Sequence, residues 1–415
     1  MDSQASHTAS SGRSVAIIGA GAAGCFCAIE LRRKHPETNV IVFEAGPGPL
    51  AKLAITGGGR CNITNSFQFV RDLRDVYPRG ANVIKRLFKA FGPERTMQWW
   101  EQEGVRLVEM EDGCIFPESQ DAMQVVRALL RLMREEGAEL HCGKKALQLC
   151  QNGSGWRILF ADGTEYDCDK VVLTAGGTNS DRLVEMLPEG IAVTPTVPSL
   201  FTLKINDKSL TSLMGTVVEN AAVAIPGTGI RTNGALLITD WGISGPATLK
   251  LTSHAARQLN DKAYRCPLLI SWVDAPEQDV QQRLKSEALR NGAKQIGNTA
   301  PEGLTERLWR HILHKSGIRE DLRLAECGSK TFNRLASILT CDTYETTGRA
   351  KFKEEFVTCG GISLESVNPS TLESKNFPGL YFAGEVLDID AVTGGFNLQA
   401  AWTTAETVAT ACRLL

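Results

Sequence analysis

The run Ser14 to Ile18 reads SVAII, five positions bounded by arginine and glycine, and so predicts a short buried strand. After the glycines at 19, 21 and 24, the small and apolar residues of AAGCFCAIELRR predict a helix over Ala22 to Arg33. Val40 to Phe43 is a second apolar strand, closed by Glu44. Strand, glycine turn, helix and strand make a βαβ unit. Farther along, the pattern predicts a helical stretch over Gly92 to Gly104 and an amphipathic helix over Gln120 to Glu136. A β-hairpin follows, turning at Asp162-Gly163, and then the apolar strand Lys170 to Thr174, which runs into Ala175, Gly176 and Gly177. The same kind of strand recurs at Leu380 to Ala383, with a corner at Gly384-Glu385 and a helix beginning near Gly394-Gly395.

Between these parts, Val193 to Val273 alternates β-rich segments with Gly and Pro turns, Ala275 to Leu339 is mostly helical, and Thr340 to Thr358 returns as strand. The expected fold class is α/β. A Rossmann-like domain occupies residues 14–192 and 345–415, and a β-barrel-like insert occupies 193–274 and 340–344. The insert carries a helical sub-domain over 275–339, and residues 1–13 form a disordered tail. A nucleotide domain interrupted by so long an insert looks like the flavoproteins related to glutathione reductase.

Gly19, Gly21 and Gly24 match G-x-G-x-x-G, in which the first glycine makes the tight turn, the second lets a pyrophosphate approach and the third packs helix on strand. The helix N-terminus then faces the phosphates with the positive end of its dipole. Glu44 can accept hydrogen bonds from an adenosine ribose and favours a free 2′-hydroxyl. This unit alone leaves NAD and FAD both open.

The stretch KLAITGGGRCNITN, Lys52 to Asn65, gives up side chains at three successive positions, and glycine disfavours both helix and strand. Something comes close to that backbone. The chain as a whole, 415 residues with a net charge of −2 and pI near 6.4, has no broad basic field, so neither nucleic acid nor an anionic membrane is an expected partner. No apolar run is long enough to span a membrane, and the first residues lack the apolar core of a signal peptide, so a cytoplasmic protein is expected. The 12 cysteines are scattered with no CxxC pair, which predicts small buried hydrophobes in a reducing compartment. His311 and His314 stand near each other without a companion cluster, and no metal site is expected.

The triglycine stretch resembles the HI0933-like (BaiN-type) family of FAD-binding oxidoreductases, whose members carry K-x-x-x-[ST]-G-G-G-R-C-N-x-T-N after the second Rossmann strand. Lys52, Thr56, Gly57, Gly58, Gly59, Arg60, Cys61, Asn62, Thr64 and Asn65 match it. Three further segments match in family order: GCIFPESQDAMQVVRALL, LLITDWGISGPATLKL and GLYFAGEVLDID with TGGFNLQAAW. The resemblance implies FAD as cofactor, extended across the Rossmann-like domain. Gly19, Gly21, Ala22, Ala23 and Gly24 would line its phosphates, with Glu44 and Ala45 at the ribose and the Ala146 backbone at the adenine. Gly57 to Gly59 would pass beside the flavin, where Lys52 would face the pyrophosphate and Arg60 would neutralise phosphate or tie the loop to neighbouring acids. Thr56, Cys61, Asn62, Ala175, Gly176 and Gly177 belong to the same implied site. Gly384 and Glu385 would lie near the ribityl chain, and Gly394, Gly395, Phe396, Asn397 and Leu398 would set a helix N-terminus against the flavin's pyrimidine edge. Many relatives follow the TGG strand with a glycine-rich segment, S-Y-P-x-T-G-S-T-G-D-G-Y, that this chain lacks.

The expected function is hydride transfer between flavin N5 and a small organic substrate held between the FAD domain and the insert. The resemblance allows an NAD(P)H-dependent reductase of conjugated double bonds, and the sequence does not choose between it and an oxidase. No second G-x-G-x-x-G unit follows a strand, so NAD(P)H would bind transiently. The alternatives are an oxidase of small amines or aminoketones, a structural or sensory FAD-binding protein from another class, and a flavin-dependent RNA-modifying enzyme, which would need a basic face that the near-neutral composition does not suggest. Cys61 has no partner thiol in a redox spacing and is expected to be a packed or loop-fixing residue. No spacing singles out a catalytic acid or base, Tyr344 and His254 included.

Overall fold

A computed structural model of the chain describes residues 13–350 and 357–413, so the expected tail lies, apart from Arg13, outside the described residues. Two compact units emerge. The first ends at Val197 and resumes at Val357, and the second begins at Pro198.

The first unit is built on a five-stranded parallel sheet. Its central strand is β1 (Ser14–Ile18), flanked by Lys170–Leu173 and by β2 (Asn39–Glu44), with Leu380–Phe382 and Glu139–Cys142 at the edges. Parallel strands covered on both faces read as unbroken apolar runs, and β1 is buried at all five positions. Helix α1 (Ala22–Lys34) joins β1 to β2 and packs on the C-terminal helix (Phe396–Ala411). Phe26 on α1 sits 5.5 Å from Trp402 and 4.6 Å from Trp99, centroid to centroid. The predicted hairpin is present, its Gly163 at φ +79° and the Asp162 carboxylate accepting from Thr164 N at 3.0 Å. It extends to a three-stranded sheet with Ala146–Asn152. The triglycine stretch is followed by a second small sheet of Thr64–Asn65, Cys114–Pro117 and Leu107–Glu109.

The second unit is a closed antiparallel barrel of six strands among the described residues. Leu203–Ile205, Gly242–Ser244, Arg231–Thr239, Val217–Ala224, Pro267–Ser271 and Asp342–Arg349 follow one another around it. The helices Glu277–Asn291, Glu306–Lys315 and Ser329–Thr340 share one hydrophobic core with it: Trp309, Ile312, Phe332 and Leu335 join the cluster that holds Leu268 and Ile270. The segment expected as a helical sub-domain is therefore continuous with the barrel.

The unit boundaries differ from the sequence expectation at both ends. The strand expected over Thr340 to Thr358 is two strands, Asp342–Arg349 in the barrel and Val357–Ile362 in the first unit, with residues 351–356 outside the described residues. Residues 345–349, assigned to the nucleotide domain, close the barrel instead. Residues 193–197, assigned to the insert, pair with Val357–Ile362 in the first unit. Alternating apolar positions announce a strand but not its partner, and both segments satisfy the pattern.

Candidate functional site

Ligands of open parallel sheets bind beyond the carboxyl ends of the strands, and the expected glycines gather there. Gly19 leaves β1 at φ +107° and donates its N–H to Phe43 O at 2.7 Å. A Cβ on Gly19 would lie 2.6 Å from the Thr174 carbonyl oxygen, and one on Gly24 would lie 2.0 Å from that of Gly19. Those two glycines are required by close packing within the protein. Gly21 differs: its φ of −82° suits any residue, and a Cβ there would meet nothing within 4 Å. Gly21 is the N-cap of α1, which no side chain caps; Ala22 is half-buried and Ala23 buried in the first turn. This turn fits the pyrophosphate of a dinucleotide, because bare backbone and a helix N-terminus face open space. Glu44 accepts from Ala20 N at 2.8 Å through one oxygen and from Gly46 N at 2.7 Å through the other. Each oxygen keeps a second lone pair. Ala45 beside it is exposed, and Lys144 N donates to Glu44 O at 2.8 Å, so the strand entering buried Ala146 is joined to the end of β2.

The triglycine stretch closes helix α2 (Ala51–Gly59), whose last turn is not helical: Gly57, Gly58 and Gly59 take φ of +59°, +67° and +82°. Three successive left-handed residues are a conformation that only glycine adopts cheaply. A Cβ on Gly57 would press on Asn62 N at 3.1 Å and Phe116 at 3.3 Å, whereas Gly58 and Gly59 meet nothing within 4 Å. Of the two roles expected for Arg60, a tie to an acid is not seen among the described residues. Arg60 donates to Gly57 O at 3.2 Å and lies over the Phe116 ring, 4.6 Å from its centroid, so it holds the loop through a carbonyl and a cation–π contact. Thr56 donates its hydroxyl to Leu53 O at 2.8 Å, and its own carbonyl accepts from Cys61 N at 3.0 Å. Cys61 is fully buried, and burial pushes its thiol up to about 12 against the lowering effect of the Thr56 hydroxyl. A protonated, inaccessible thiol is a packing residue.

The loop then reaches across the first unit. With its amide oriented so that donors meet acceptors, Asn62 donates to Thr64 O at 2.8 Å and accepts from Gly395 N at 3.1 Å. Asn65 donates to Gly394 O at 3.1 Å. Two asparagines of the GGGRCNITN motif thus grip the two glycines that start the C-terminal helix. Gly395, at φ +86°, could not hold a Cβ, which would sit 2.3 Å from Thr64 O. Asn397 holds the preceding loop, accepting from Ala391 N at 2.9 Å and donating to Ala391 O at 3.0 Å. The Phe396 ring stands edge-on to Phe67 at 5.0 Å, and Leu398 is half-buried on the same core.

Gly384 turns at φ +76° against Ala23 of α1, and its N–H donates to Thr404 Oγ1 at 2.9 Å. Lys52, expected to face the pyrophosphate, pairs with the Glu385 carboxylate at 2.7 Å, whose other oxygen accepts from Thr358 N at 2.9 Å. The ion pair joins two motif residues 333 positions apart. Gly177 leaves room for Thr358, whose hydroxyl would be 2.1 Å from a Cβ there, and Gly176 turns at φ +68° into open space. Ala175 accepts from the Thr178 hydroxyl at 3.0 Å. After Gly177 the chain continues into a short helix, Ser180–Met186, capped by Asn179.

Sequence reasoning passed over Gln399, which is fully buried and links Thr64, Thr96 and Thr403. A glutamine inside the apolar FNLQAAW run was the available signal. Tyr77 and Arg79 were also missed; they bond to Phe396 O and to the buried Asp390, and nothing local in VYPRG announces those partners.

The family model described as the HI0933-like protein Rossmann domain matches residues 13–411. The chain belongs to the HI0933-like family. Among its relatives, a 3-dehydro-bile acid delta(4,6)-reductase of Clostridium scindens is 28% identical, covering 94% of this chain and 96% of the relative. A ribosomal RNA dihydrouridine synthase of Escherichia coli is 27% identical over 94% of this chain and 95% of that protein. Among solved structures, a 3-ketosteroid-delta4-(5alpha)-dehydrogenase from Rhodococcus jostii covers 99% of both chains at 13% identity with a TM-score of 0.45. This HI0933-like protein is a flavin-dependent oxidoreductase. Among the described residues, no helix is long and apolar enough to cross a membrane, and no cluster of side chains suits a metal ion.

Proposed function

We propose that the flavin is FAD and that the protein reduces a carbon–carbon double bond conjugated to a carbonyl in a small organic acceptor, with NAD(P)H as the electron donor. What carries the reading is the convergence of the Gly19–Gly24 turn, the Gly57–Gly59 loop and the Gly394–Gly395 helix start in one unit, in a chain that aligns over 94% of its length with a double-bond reductase. When bound, FAD would supply hydride-transfer chemistry at its flavin ring. The protein's share is positional. Glu44 and the uncapped N-terminus of α1 would take the adenosine half, and Gly58 and Gly59 would let the backbone approach the isoalloxazine without side-chain interference. The N–H groups at the start of the C-terminal helix would face the pyrimidine edge and favour negative charge there on reduction.

A second reading shares the chemistry. The other named relative makes dihydrouridine, which is uridine with two hydrogens added across a double bond conjugated to a carbonyl. In this chain the 198–356 unit carries a small excess of basic residues while the remainder is acidic, and that local excess supports an RNA acceptor more than the near-neutral total suggests.

One experiment separates these. Flavin on the anaerobic protein is reduced with NADPH or NADH, and its reoxidation is followed after adding either a 4-en-3-one steroid or a uridine-containing transcript. Rapid reoxidation by the steroid alone supports the small-molecule reading, and by RNA alone the second. Reduction by an aminoketone but by neither nucleotide would overturn both in favour of an oxidase. Bound flavin inert to every donor would leave a structural or sensory role.

A further inference from the structure

The loop from Ile389 to Phe396, which ends in the two glycines at the start of the C-terminal helix, is gripped from two sides. One grip comes from Asn62 and Asn65. The other comes from Val76 to Gly80, a segment that no motif contains. Val76 O accepts from Val392 N at 2.9 Å. The Tyr77 hydroxyl, fully buried, donates to Phe396 O at 2.8 Å. Arg79 pairs with the Asp390 carboxylate through two guanidinium nitrogens, and the two residues also form an isolated antiparallel bridge. Gly80, at φ +80°, passes so close to Ile389 that a Cβ would lie 2.6 Å from that side chain. Around Tyr77 the rings of Phe88 and Phe396 stand edge-on at 6.4 and 6.1 Å, and Phe67 meets both of those rings at 5.3 and 5.0 Å.

This is more fixing than a helix start needs for its own sake. A polar side chain taken fully out of water to hold one carbonyl, and an ion pair whose carboxylate is 1% exposed, are costly to bury and hold only in a well-determined geometry. We infer that Tyr77 and Arg79 are positioning residues that set the redox potential of the bound flavin, by fixing the loop whose N–H groups face its pyrimidine edge. The inference rests on the cofactor placement proposed above. Stabilisation of charge that develops on reduction depends on donors held in place before the charge appears. A loosened loop keeps its donors but pays reorganisation at each reduction, so the reduced flavin loses more than the oxidised flavin does.

The test is spectroelectrochemical titration of the flavin-loaded protein, with the flavin dissociation constant and the thermal unfolding of the apo-protein measured in parallel. Tyr77→Phe removes one hydroxyl and keeps the ring. The paired change Arg79→Gln with Asp390→Asn removes the ion pair at constant net charge. Each is expected to shift the bound flavin about tenfold toward its oxidised form, about 30 mV more negative for a two-electron couple, and to weaken flavin binding. A Tyr77→Phe protein of lowered thermal stability but parental potential would show the clamp to be structural only and overturn the inference. Unchanged potential and affinity in both variants would do the same, while leaving the flavin site itself intact. A parent protein that retains no flavin would reject the placement on which the inference stands.

Discussion

Gly21 and Gly24 stand three residues apart in one turn and answer to different constraints. At Gly24 a Cβ would enter the Gly19 carbonyl oxygen at 2.0 Å, so Gly24→Ala is expected to destabilise the apo-protein by about 1–3 kcal/mol, the ordinary cost of overpacking. At Gly21 a Cβ meets open space, and Gly21→Val is expected to change apo-protein stability by no more than about 0.5 kcal/mol while strongly reducing flavin retention. Urea unfolding and the flavin-to-protein absorbance ratio read the two effects separately; equal flavin retention in Gly21→Val and the parent would mean that no cofactor passes that backbone. Cys61→Ser tests the other kind of motif residue. A buried thiol held at about 12 cannot serve as a thiolate near neutral pH, so flavin reduction is expected to stay within about tenfold of the parent, a barrier change of about 1.4 kcal/mol. A thousandfold loss at full flavin occupancy would return Cys61 to the chemistry. The glycines were legible in the sequence because their constraints are local and repeat at fixed spacing. Lys52 was legible as a motif residue but not as the partner of Glu385, since nothing within its own segment records a carboxylate 333 positions away.

At the level of elements, the long periodic segments were read correctly and the joins were not. The helix predicted over Ala22 to Arg33 is Ala22–Lys34, and the amphipathic helix predicted over Gln120 to Glu136 is Ala122–Glu135. The misreadings concern which sheet a strand joins, as at Asp342–Arg349. That strand carries a consequence of its own. Where the helix Glu306–Lys315 packs on it, His311 Nε2 lies 3.3 Å from the Tyr344 hydroxyl. Beside it Lys315 covers the Tyr344 ring at 3.6 Å and pairs with buried Asp342 at 2.5 Å. Burial lowers the His311 pKa below its ordinary 6.5, with Lys315 and His314 acting in the same direction and Asp342 and Asp207 opposing. The folded protein therefore binds fewer protons at this site than the unfolded chain does between the lowered value and 6.5. Its contribution to stability is complete above that window and is lost as pH falls through it. Urea midpoints measured across the window are expected to rise with pH in the parent and to rise less steeply in His311→Gln. Parallel slopes would mean that some other group carries the dependence.

On the scale of the whole molecule, the family match runs from residue 13 to residue 411 and so takes in both compact units, although the glycine turn, the triglycine loop and the C-terminal helix start all lie in the first. The cofactor is expected to act as a ligand of that first unit alone, across several of its segments. FAD present at a hundred times its dissociation constant is expected to stabilise the protein by about 2.7 kcal/mol, because it binds the folded state and not the unfolded chain. FMN has the flavin and one phosphate but no adenosine, and would leave Glu44, the α1 N-terminus and the strand entering Ala146 without a ligand. At equal concentration its effect on the unfolding temperature is expected to be much the smaller of the two. AMP, carrying only the other half, should give a small shift that disappears in Gly21→Val. Thermal unfolding of the apo-protein with each of the three nucleotides decides the matter, alongside chromatography of the cofactor released from protein as purified. If FMN stabilised as well as FAD, or were the nucleotide released, the glycine turn would not be an adenosine site. Its open backbone at Gly21 would then need another ligand to explain it.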